Sequence, residues 1–171
     1  MKGAVLSAEE TKAGVGFDEF FAAEYGRLAR AVFLLVRDRY IAEDLAQEAM
    51  ARVFERWDRV SGMSSPQGYL YRTAVNLHRK RLRRLAVQTR HLISDSRRPQ
   101  EPDAVVAQRS EVLGALARLP RGQQEVVVLI EALGFEAREV ARICGIDPAS
   151  VRVRLHRAKK ALREHLGGPH E

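Results

Sequence analysis

Residues 134–162 read GFEAREVARICGIDPASVRVRLHRAKKAL, and this stretch decides the fold of the C-terminal half of the chain. Its first part has the apolar spacing of a short helix. Gly145 then suits a tight turn with positive φ, and Asp147 followed by Pro148 is the start signal of a second helix. The order of helix, glycine turn and capped helix predicts a helix-turn-helix, a motif whose second helix enters the major groove of DNA.

The second helix of this motif is strongly basic, with no acidic residue between positions 148 and 163. Its predicted buried stripe is Val151, Leu155, Ala158 and Leu162, so the basic side chains project elsewhere. A solvated basic face is the alternative interpretation, but the turn and cap directly before the helix favour contact with duplex DNA. The candidate contacts are Ala149, Ser150, Arg152, Val153, Arg154 and Arg157.

The composition agrees with a polyanionic partner. The chain has 171 residues, with 29 Lys and Arg against 22 Asp and Glu, and 46% of its residues are hydrophobic, which is enough for packed cores. No apolar run reaches the roughly 20 residues of a membrane span, and the first residues lack a signal-peptide core. With a single cysteine, Cys144, no intrachain disulfide is possible. We therefore expect a cytoplasmic protein without membrane insertion.

Helical periodicity also organises the N-terminal half. A helix is predicted from Phe17, a second one capped by Asp38, and a third one that starts at Ser65-Pro66. Two prolines and an aperiodic polar stretch predict a linker near residues 88–103. Four more helical segments follow, at about 104–118, 121–132, 135–143 and 148–165. The predicted fold class is all-α: a three-to-four-helix bundle and a helix-turn-helix domain, joined by a flexible linker.

An acidic face stands out on the second helix, where residues 41–50 read IAEDLAQEAM. Its exposed side carries Glu43, Asp44, Gln47 and Glu48, and the three carboxylates would repel phosphate. Solubility is one explanation, acid–base catalysis by Asp44 and Glu48 a second, and docking of a basic protein partner a third. Catalysis lacks a nearby histidine or nucleophile, the histidines lack metal-ligand spacing and no P-loop is present. Solubility and docking therefore remain open for this face, and we expect no enzymatic activity and no cofactor.

The third helix continues as YLYRTAVNLHRKRLRR at residues 69–84, which mixes basic and aromatic side chains. Basic groups neutralise phosphates, while aromatic faces can hold unstacked bases, so the mixture suits opened DNA better than an intact duplex. Tyr69 and Tyr71 flank the inward Leu70, and we expect at least one of them to be exposed.

Taken together, four stretches in this order resemble the bacterial extracytoplasmic-function (ECF, group IV) sigma factors. They are AEDLAQEAMARVFERWDRV, SPQGYLYRTAVNLHRKRLRR, LPRGQQEVVVLIEALGFEAREVARICGID and SVRVRLHRAKKALREHL. The resemblance implies a subunit that directs core RNA polymerase to promoters. It also implies three partners: core polymerase through its largest-subunit clamp helices and its flap, promoter DNA, and an anti-sigma factor.

The resemblance implies a role for each segment. The domains are a tail at 1–16, region 2 at 17–87, a linker at 88–108, region 4 at 109–166 and a tail at 167–171. The face with Glu43, Asp44, Gln47 and Glu48 would grip the clamp helices, and the helix at 121–133 would meet the flap. The loop at 58–66 would capture a flipped base of the −10 element. The −10 contacts would be Tyr69, Tyr71, Arg72, Asn76, Arg79, Lys80 and Arg83, and the helix from Pro148 would read the −35 element.

Two other functions remain open on the residues alone. A helix-turn-helix regulator that acts without polymerase docking would use the C-terminal half in the same way. An RNA-binding protein would use the basic and aromatic third helix. Neither accounts for the acidic face of the second helix.

Overall fold

A computed structural model describes residues 16–91 and 104–167, with side chains described for residues 16–88 and 111–167. Within these ranges the regular structure is helical, which confirms the all-α prediction. The helices are α1 (Phe17–Val36), α2 (Arg39–Phe54), α3 (Trp57–Val60), α4 (Pro66–His91), α5 (Ala104–Arg118), α6 (Arg121–Val127), α7 (Ala137–Cys144) and α8 (Pro148–His165).

Helical structure continues to His91 and begins again at Ala104, so α4 and α5 both reach into the stretch predicted as a linker. The rest of that linker, residues 92–103, lies outside the described residues. The same holds for nearly all of the two predicted tails, since residues 1–15 and 168–171 are not described.

The helix-start signals in the sequence are confirmed. The carboxylates of Asp38 and Asp147 and the hydroxyl of Ser65 each accept a hydrogen bond from the backbone N–H three residues further on, at 3.0, 2.8 and 3.0 Å. Each bond satisfies a donor that a helix N-terminus would otherwise leave unpaired. Hydrogen bonds from the Ser150 side chain and backbone also lower the pKa of Asp147, which keeps this cap charged.

In the N-terminal half, defined here as α1–α4, α2 packs against both α1 and α4. Leu28, Ala46 and Leu70 are fully buried in this core. The apolar spacing of Ile41, Leu45, Ala49, Val53 and Trp57 predicts that α2 continues to Trp57. The helix instead ends at Phe54, and Trp57 begins the separate α3. Its half-buried ring contacts that of Phe17 at 5.4 Å between centroids, so it extends the core at the end of α1.

The C-terminal half, α5–α8, contains the predicted helix-turn-helix in α7 and α8. Gly145 has φ 69°, the left-handed conformation expected for the turn. Val151 and Ala158 of α8 are fully buried, while the rest of their predicted stripe is half-buried. Cys144 at the end of α7 is buried, and burial raises the pKa of its thiol to about 12. This cysteine is therefore a core residue.

One refinement concerns the predicted helix at 121–132. Its first part is α6, but Val128–Ala132 forms a π-helical turn that continues α6 directly. Val126, Val127, Val128 and Leu129 are all buried, so the β-branched run is a buried helical face. The prediction of a helix over this segment is confirmed.

The two halves pack directly on one another, mainly through α4 and α7, and their buried side chains form one continuous cluster. The Tyr71 ring of α4 meets the Phe135 ring before α7 edge-on, with centroids 5.0 Å apart. We call the contacts of the N-terminal half with α6, α7 and the residues between them the junction. Among the described residues, no helix is long and apolar enough to cross a membrane.

Candidate protein and nucleic-acid interfaces

The acidic face of α2 lies on the surface, as the sequence predicted. Asp44, Gln47 and Glu48 are exposed, while Glu43 is half-buried. Leu45, Ala46 and Ala49 lie on the opposite side of the helix and anchor it in the core. The face is therefore rigidly placed and open to a partner.

Two of its carboxylates have internal partners, which the sequence analysis did not anticipate. Arg39 Nε lies 2.8 Å from Glu43 Oε1, and Arg52 Nη2 lies 2.6 Å from Glu48 Oε1. Both are i, i+4 pairs on the helix surface, with every side chain at least 40% exposed. Such pairs contribute only about 0.3–0.5 kcal/mol, so a partner can replace them at little cost. Asp44 has no ion pair within the described residues.

The predicted duplex-contact surface of α8 is largely exposed. Ala149, Arg152, Val153 and Arg157 are exposed. They lie on the side of the helix away from the buried Val151. A helix that presents small residues and arginines from its first turns matches the form in which a recognition helix enters a groove.

Two other predicted duplex contacts are partly engaged within the protein. Ser150 is half-buried, and its hydroxyl donates to Asp147 Oδ2 at 2.5 Å as part of the helix cap. Arg154 is half-buried, and its guanidinium lies on Gly122 of α6. A side chain on Gly122 would occupy that space, because its Cβ would lie 2.6 Å from Arg154 Nη1.

The structure divides the predicted opened-DNA contacts of α4 into two groups. Arg72, Asn76, Lys80 and Arg83 are exposed. The tyrosines and Arg79 are instead held in internal contacts. Tyr69 is half-buried, and its hydroxyl accepts a hydrogen bond from Arg56 at 3.1 Å.

Tyr71 lies at the junction and is only 2% exposed. Its hydroxyl is 3.4 Å from Glu24 Oε2, and its pKa is raised, mainly by burial and further by the Glu24 carboxylate. With Tyr69 half-buried and Tyr71 buried, the expectation that at least one of the two is exposed is wrong for this arrangement. The physical reason is the C-terminal half, whose Phe135 covers the Tyr71 ring.

Arg79 binds the C-terminal half through three hydrogen bonds. Its Nε and Nη2 donate to the two oxygens of Glu125 at 2.9 and 2.5 Å, and its Nη1 donates to the carbonyl of Cys144 at 3.1 Å. Bidentate arginine–carboxylate pairs of this kind are strong and geometrically specific. The Glu125 side chain is only 5% exposed, and the hydrogen bonds that Arg79 donates to it raise the pKa of Arg79.

Sequence reasoning missed Glu125. The available signal was an acidic residue directly before the apolar run at 126–130, where the helical period turns it toward the protein interior. A buried carboxylate requires a partner, but the sequence does not say which of the many arginines supplies it.

A second internal carboxylate, Glu24 of α1, was also missed. It is 8% exposed and accepts hydrogen bonds from Gln67 at 2.8 Å and Arg27 at 3.5 Å, in addition to the Tyr71 hydroxyl. Arg27 also reaches the C-terminal half, where its Nη2 donates to the carbonyl of Leu133 at 3.1 Å. Glu24 therefore helps to hold two side chains that face the junction.

The predicted base-capturing loop lies at the edge of the junction as well. A cavity of about 280 Å³ is lined by loop residues such as Met63 and Ser65 and by Tyr69 and Arg72 of α4. Its other wall comes from α7, including Arg142. In this arrangement the loop and the start of α4 face the C-terminal half.

Comparisons with known proteins match two separate stretches of the chain to family models. Residues 20–87 match the family model for Sigma-70 region 2, and residues 109–162 match that for Sigma-70, region 4. The chain is 32% identical over 157 residues to the RNA polymerase sigma-E factor of Streptomyces coelicolor, covering 88% of this chain and 85% of that protein. It is 28% identical over 163 residues to the ECF RNA polymerase sigma factor SigM of Mycobacterium tuberculosis, covering 95% and 83%.

Two solved structures share the fold. One is the sigma factor RpoE in complex with the anti-sigma factor NepR from Bartonella quintana, with a TM-score of 0.75, 23% identity, and 88% of this chain and 96% of that chain covered. The other is CnrH in complex with the cytosolic domain of CnrY, with a TM-score of 0.66, 21% identity, and 88% and 87% covered.

Proposed function

Because the chain belongs to the ECF group of the sigma-70 family of RNA polymerase sigma factors, we propose that its separate surfaces hold polymerase and promoter DNA. It acts with core RNA polymerase and directs promoter-specific transcription initiation, so a regulator acting without polymerase is not favoured. Sigma factors are not enzymes, and we assign this chain no enzymatic activity. The proposal places it in the cytoplasm, where promoters and polymerase are found.

Polymerase binds the acidic face of α2 in this proposal. The supporting observation is the exposed group formed by Asp44, Gln47 and Glu48 on a helix whose other side is buried. Asp44 carries a charge without an internal ion pair in the described residues, and its neighbour Glu48 exchanges a weak surface pair for one with a basic partner. Electrostatic complementarity of this type orients a complex and speeds its association.

Asp44→Arg tests the assignment, with Glu111→Arg as a matched control on the exposed surface of α5. Asp44→Arg should abolish co-elution with core polymerase and promoter-specific transcripts, while the control retains both. Helical content by circular dichroism and binding of a −35 duplex should be unchanged in Asp44→Arg. Equal behaviour of the two variants toward polymerase would contradict the assignment.

Promoter DNA is divided between α8 and α4. We assign the −35 duplex to the exposed first turns of α8, with Arg152 reading base edges and Arg157 contacting phosphate. We assign the opened −10 strand to α4 and the loop before it. Each half alone binds weakly in this proposal, and tethering both to polymerase raises the effective concentration of one relative to the other.

The arrangement of the free chain bears on this assignment. Tyr71 and Arg79, two of the proposed −10 contacts, are occupied by Phe135 and Glu125 of the C-terminal half. The proposal therefore requires the two halves to separate at the junction before α4 binds the opened strand. Polymerase supplies the free energy of that step by binding both halves at separate places.

We also propose that an anti-sigma factor binds this chain. The two structural relatives were solved with such a protein or with a partner's cytosolic domain. The proposal predicts that the partner competes with core polymerase for the chain. Simultaneous binding of both to one chain, seen by size-exclusion chromatography, would contradict it.

A further inference from the structure

A basic cleft opens where the two halves meet. It has a volume of about 490 Å³ and lies between α4, the start of α6 and α8. Its lining includes arginines from all three helices: Arg79, Arg83, Arg121, Arg154 and Arg157.

The charge in this cleft is poorly compensated. Its lining contains one carboxylate, Glu125, and both of the Glu125 oxygens are already engaged by Arg79. The other lining arginines form no ion pair within the described residues. Closing the halves brings Arg83 of α4 toward Arg154 and Arg157 of α8, and like charges brought together destabilise the closed arrangement.

One of the arginines is held in position by the protein. Arg79 is fixed by its three hydrogen bonds to Glu125 and to the Cys144 carbonyl. Arg154 lies against Gly122 at another wall of the cleft. A guanidinium fixed like that of Arg79 loses less conformational entropy when it binds a ligand.

We propose that this cleft binds a small phosphate-bearing anion of nucleotide size, with two or more phosphate groups, and that the anion holds the two halves closed. Arginine binds phosphate through paired N–H donors, and walls from both halves give a bridging anion contacts to each. The volume falls within the range of about 300–1,000 Å³ for small-molecule sites.

The inference goes beyond the proposed sigma-factor function, because it rests only on the cleft that forms when the two halves of the chain are in contact. It adds a regulatory consequence to that function. An anion in the cleft occupies Arg79 and Arg83, which are also proposed −10 contacts, and it stabilises the arrangement that covers Tyr71. Binding in the cleft and binding of the opened −10 strand are therefore mutually exclusive.

The test uses inorganic triphosphate as the probe and the full chain without polymerase or promoter. Isothermal titration calorimetry at constant ionic strength should show one saturable site. Arg121→Ala should weaken binding by about tenfold, since it removes a charged donor of the cleft that has no assigned DNA contact. Arg138→Ala, on the exposed surface of α7 and outside the cleft lining, is the matched control and should bind as the unchanged chain does.

Bound triphosphate should also slow proteolysis at the junction, because it holds the two halves closed. Four outcomes would overturn the proposal: no saturable binding, equal weakening by Arg121→Ala and Arg138→Ala, binding of triphosphate without any slowing of proteolysis, and weakening of single-stranded −10 DNA binding by Arg121→Ala as large as that of triphosphate binding. Equal weakening by the two variants would mean that triphosphate responds to net charge alone. The last outcome would make the cleft part of the DNA surface.

This test is independent of the polymerase assignment. Asp44→Arg leaves the cleft unaltered and should bind triphosphate normally. If Asp44→Arg still bound polymerase, only the proposed polymerase contact would be contradicted. If triphosphate did not bind, only the proposed anion site in the cleft would be contradicted.

Discussion

Replacing Glu125 by glutamine should loosen the junction between the two halves and raise the affinity of the free chain for opened −10 DNA. The change keeps the shape of the side chain, so the helix around it is undisturbed. It removes the charge that attracts Arg79 and turns one accepting oxygen into an NH₂ group. That group faces a guanidinium that has only donors, so one of the two hydrogen bonds is lost and the other is weakened.

The size of the effect follows from the contacts. Glu125 accepts hydrogen bonds at 2.9 and 2.5 Å from Arg79, whose third bond to the Cys144 carbonyl survives the change. A hydrogen bond to a charged group contributes about 1.5–3 kcal/mol. The Arg79 side chain is 30% exposed, which favours the lower end of that range. At 1.4 kcal/mol per factor of ten, the ratio of open to closed chain should rise about tenfold.

Fluorescence anisotropy with a labelled single-stranded −10 oligonucleotide measures this shift. When only the open form binds, the apparent Kd equals the intrinsic Kd divided by the open fraction, so the variant should bind about tenfold more tightly. Glu131→Gln is the matched control, because Glu131 is exposed and pairs with Lys159 at 2.7 Å within the C-terminal half. That variant should bind the oligonucleotide as the unchanged chain does.

An unchanged affinity in a Glu125→Gln chain that circular dichroism shows to be folded would refute the reasoning. It would mean that the Arg79–Glu125 pair does not restrain the halves. If the variant fails to fold, Arg27→Ala provides a second test. It removes the bond from Arg27 to the Leu133 carbonyl at 3.1 Å and should change affinity in the same direction.

Three further predictions concern other parts of the molecule. Burial lowers the pKa of His78 below its usual 6.5, although the Glu125 carboxylate opposes the shift. Below pH 6.5 the unfolded chain therefore binds a proton at His78 more readily than the folded chain does. Its free energy of unfolding in urea should therefore fall as the pH drops below 6.5, and His78→Leu should flatten this fall; an identical slope in the variant would exclude His78 as its source. Asp147→Ala should lower the Tm of the chain through loss of the α8 cap, and an unchanged Tm would show that the cap contributes nothing. Arg152→Ala should reduce discrimination at one or two −35 base pairs by about 1–3 kcal/mol in competition binding, whereas Lys160→Ala should weaken all sequences alike; uniform weakening by Arg152→Ala would assign it to phosphate.

The local features of this protein could be predicted from the sequence alone. The helix starts at Asp38, Ser65 and Asp147 are confirmed because a cap depends on a side chain and a backbone N–H only three residues apart. The glycine turn and the buried face of α6 follow from equally local rules. The surface pairs of Glu43 and Glu48 were missed, although each arginine stands four residues away on the same helix, a spacing that local rules cover.

The order of the four motifs determined the family, and the alternation of acidic and basic helices predicted separate surfaces for protein and DNA. What remained open was how much of each surface is accessible. The sequence around Tyr71, an aromatic residue among basic ones, is typical of a base-stacking site. The side chain is nevertheless buried, because Phe135 from a distant part of the chain covers it.

Only the tertiary structure decided the contacts across the junction. Arg79 and Glu125 stand 46 residues apart in sequence, and Arg27 and the Leu133 carbonyl 106 residues apart. No periodicity or capping rule links positions at such distances, because those rules describe one helix at a time. Helical spacing sets which way a side chain faces, but packing of one half on the other sets what it meets. Arg79 meets the Glu125 carboxylate of its own chain, although the sequence analysis assigned this arginine to a contact with DNA.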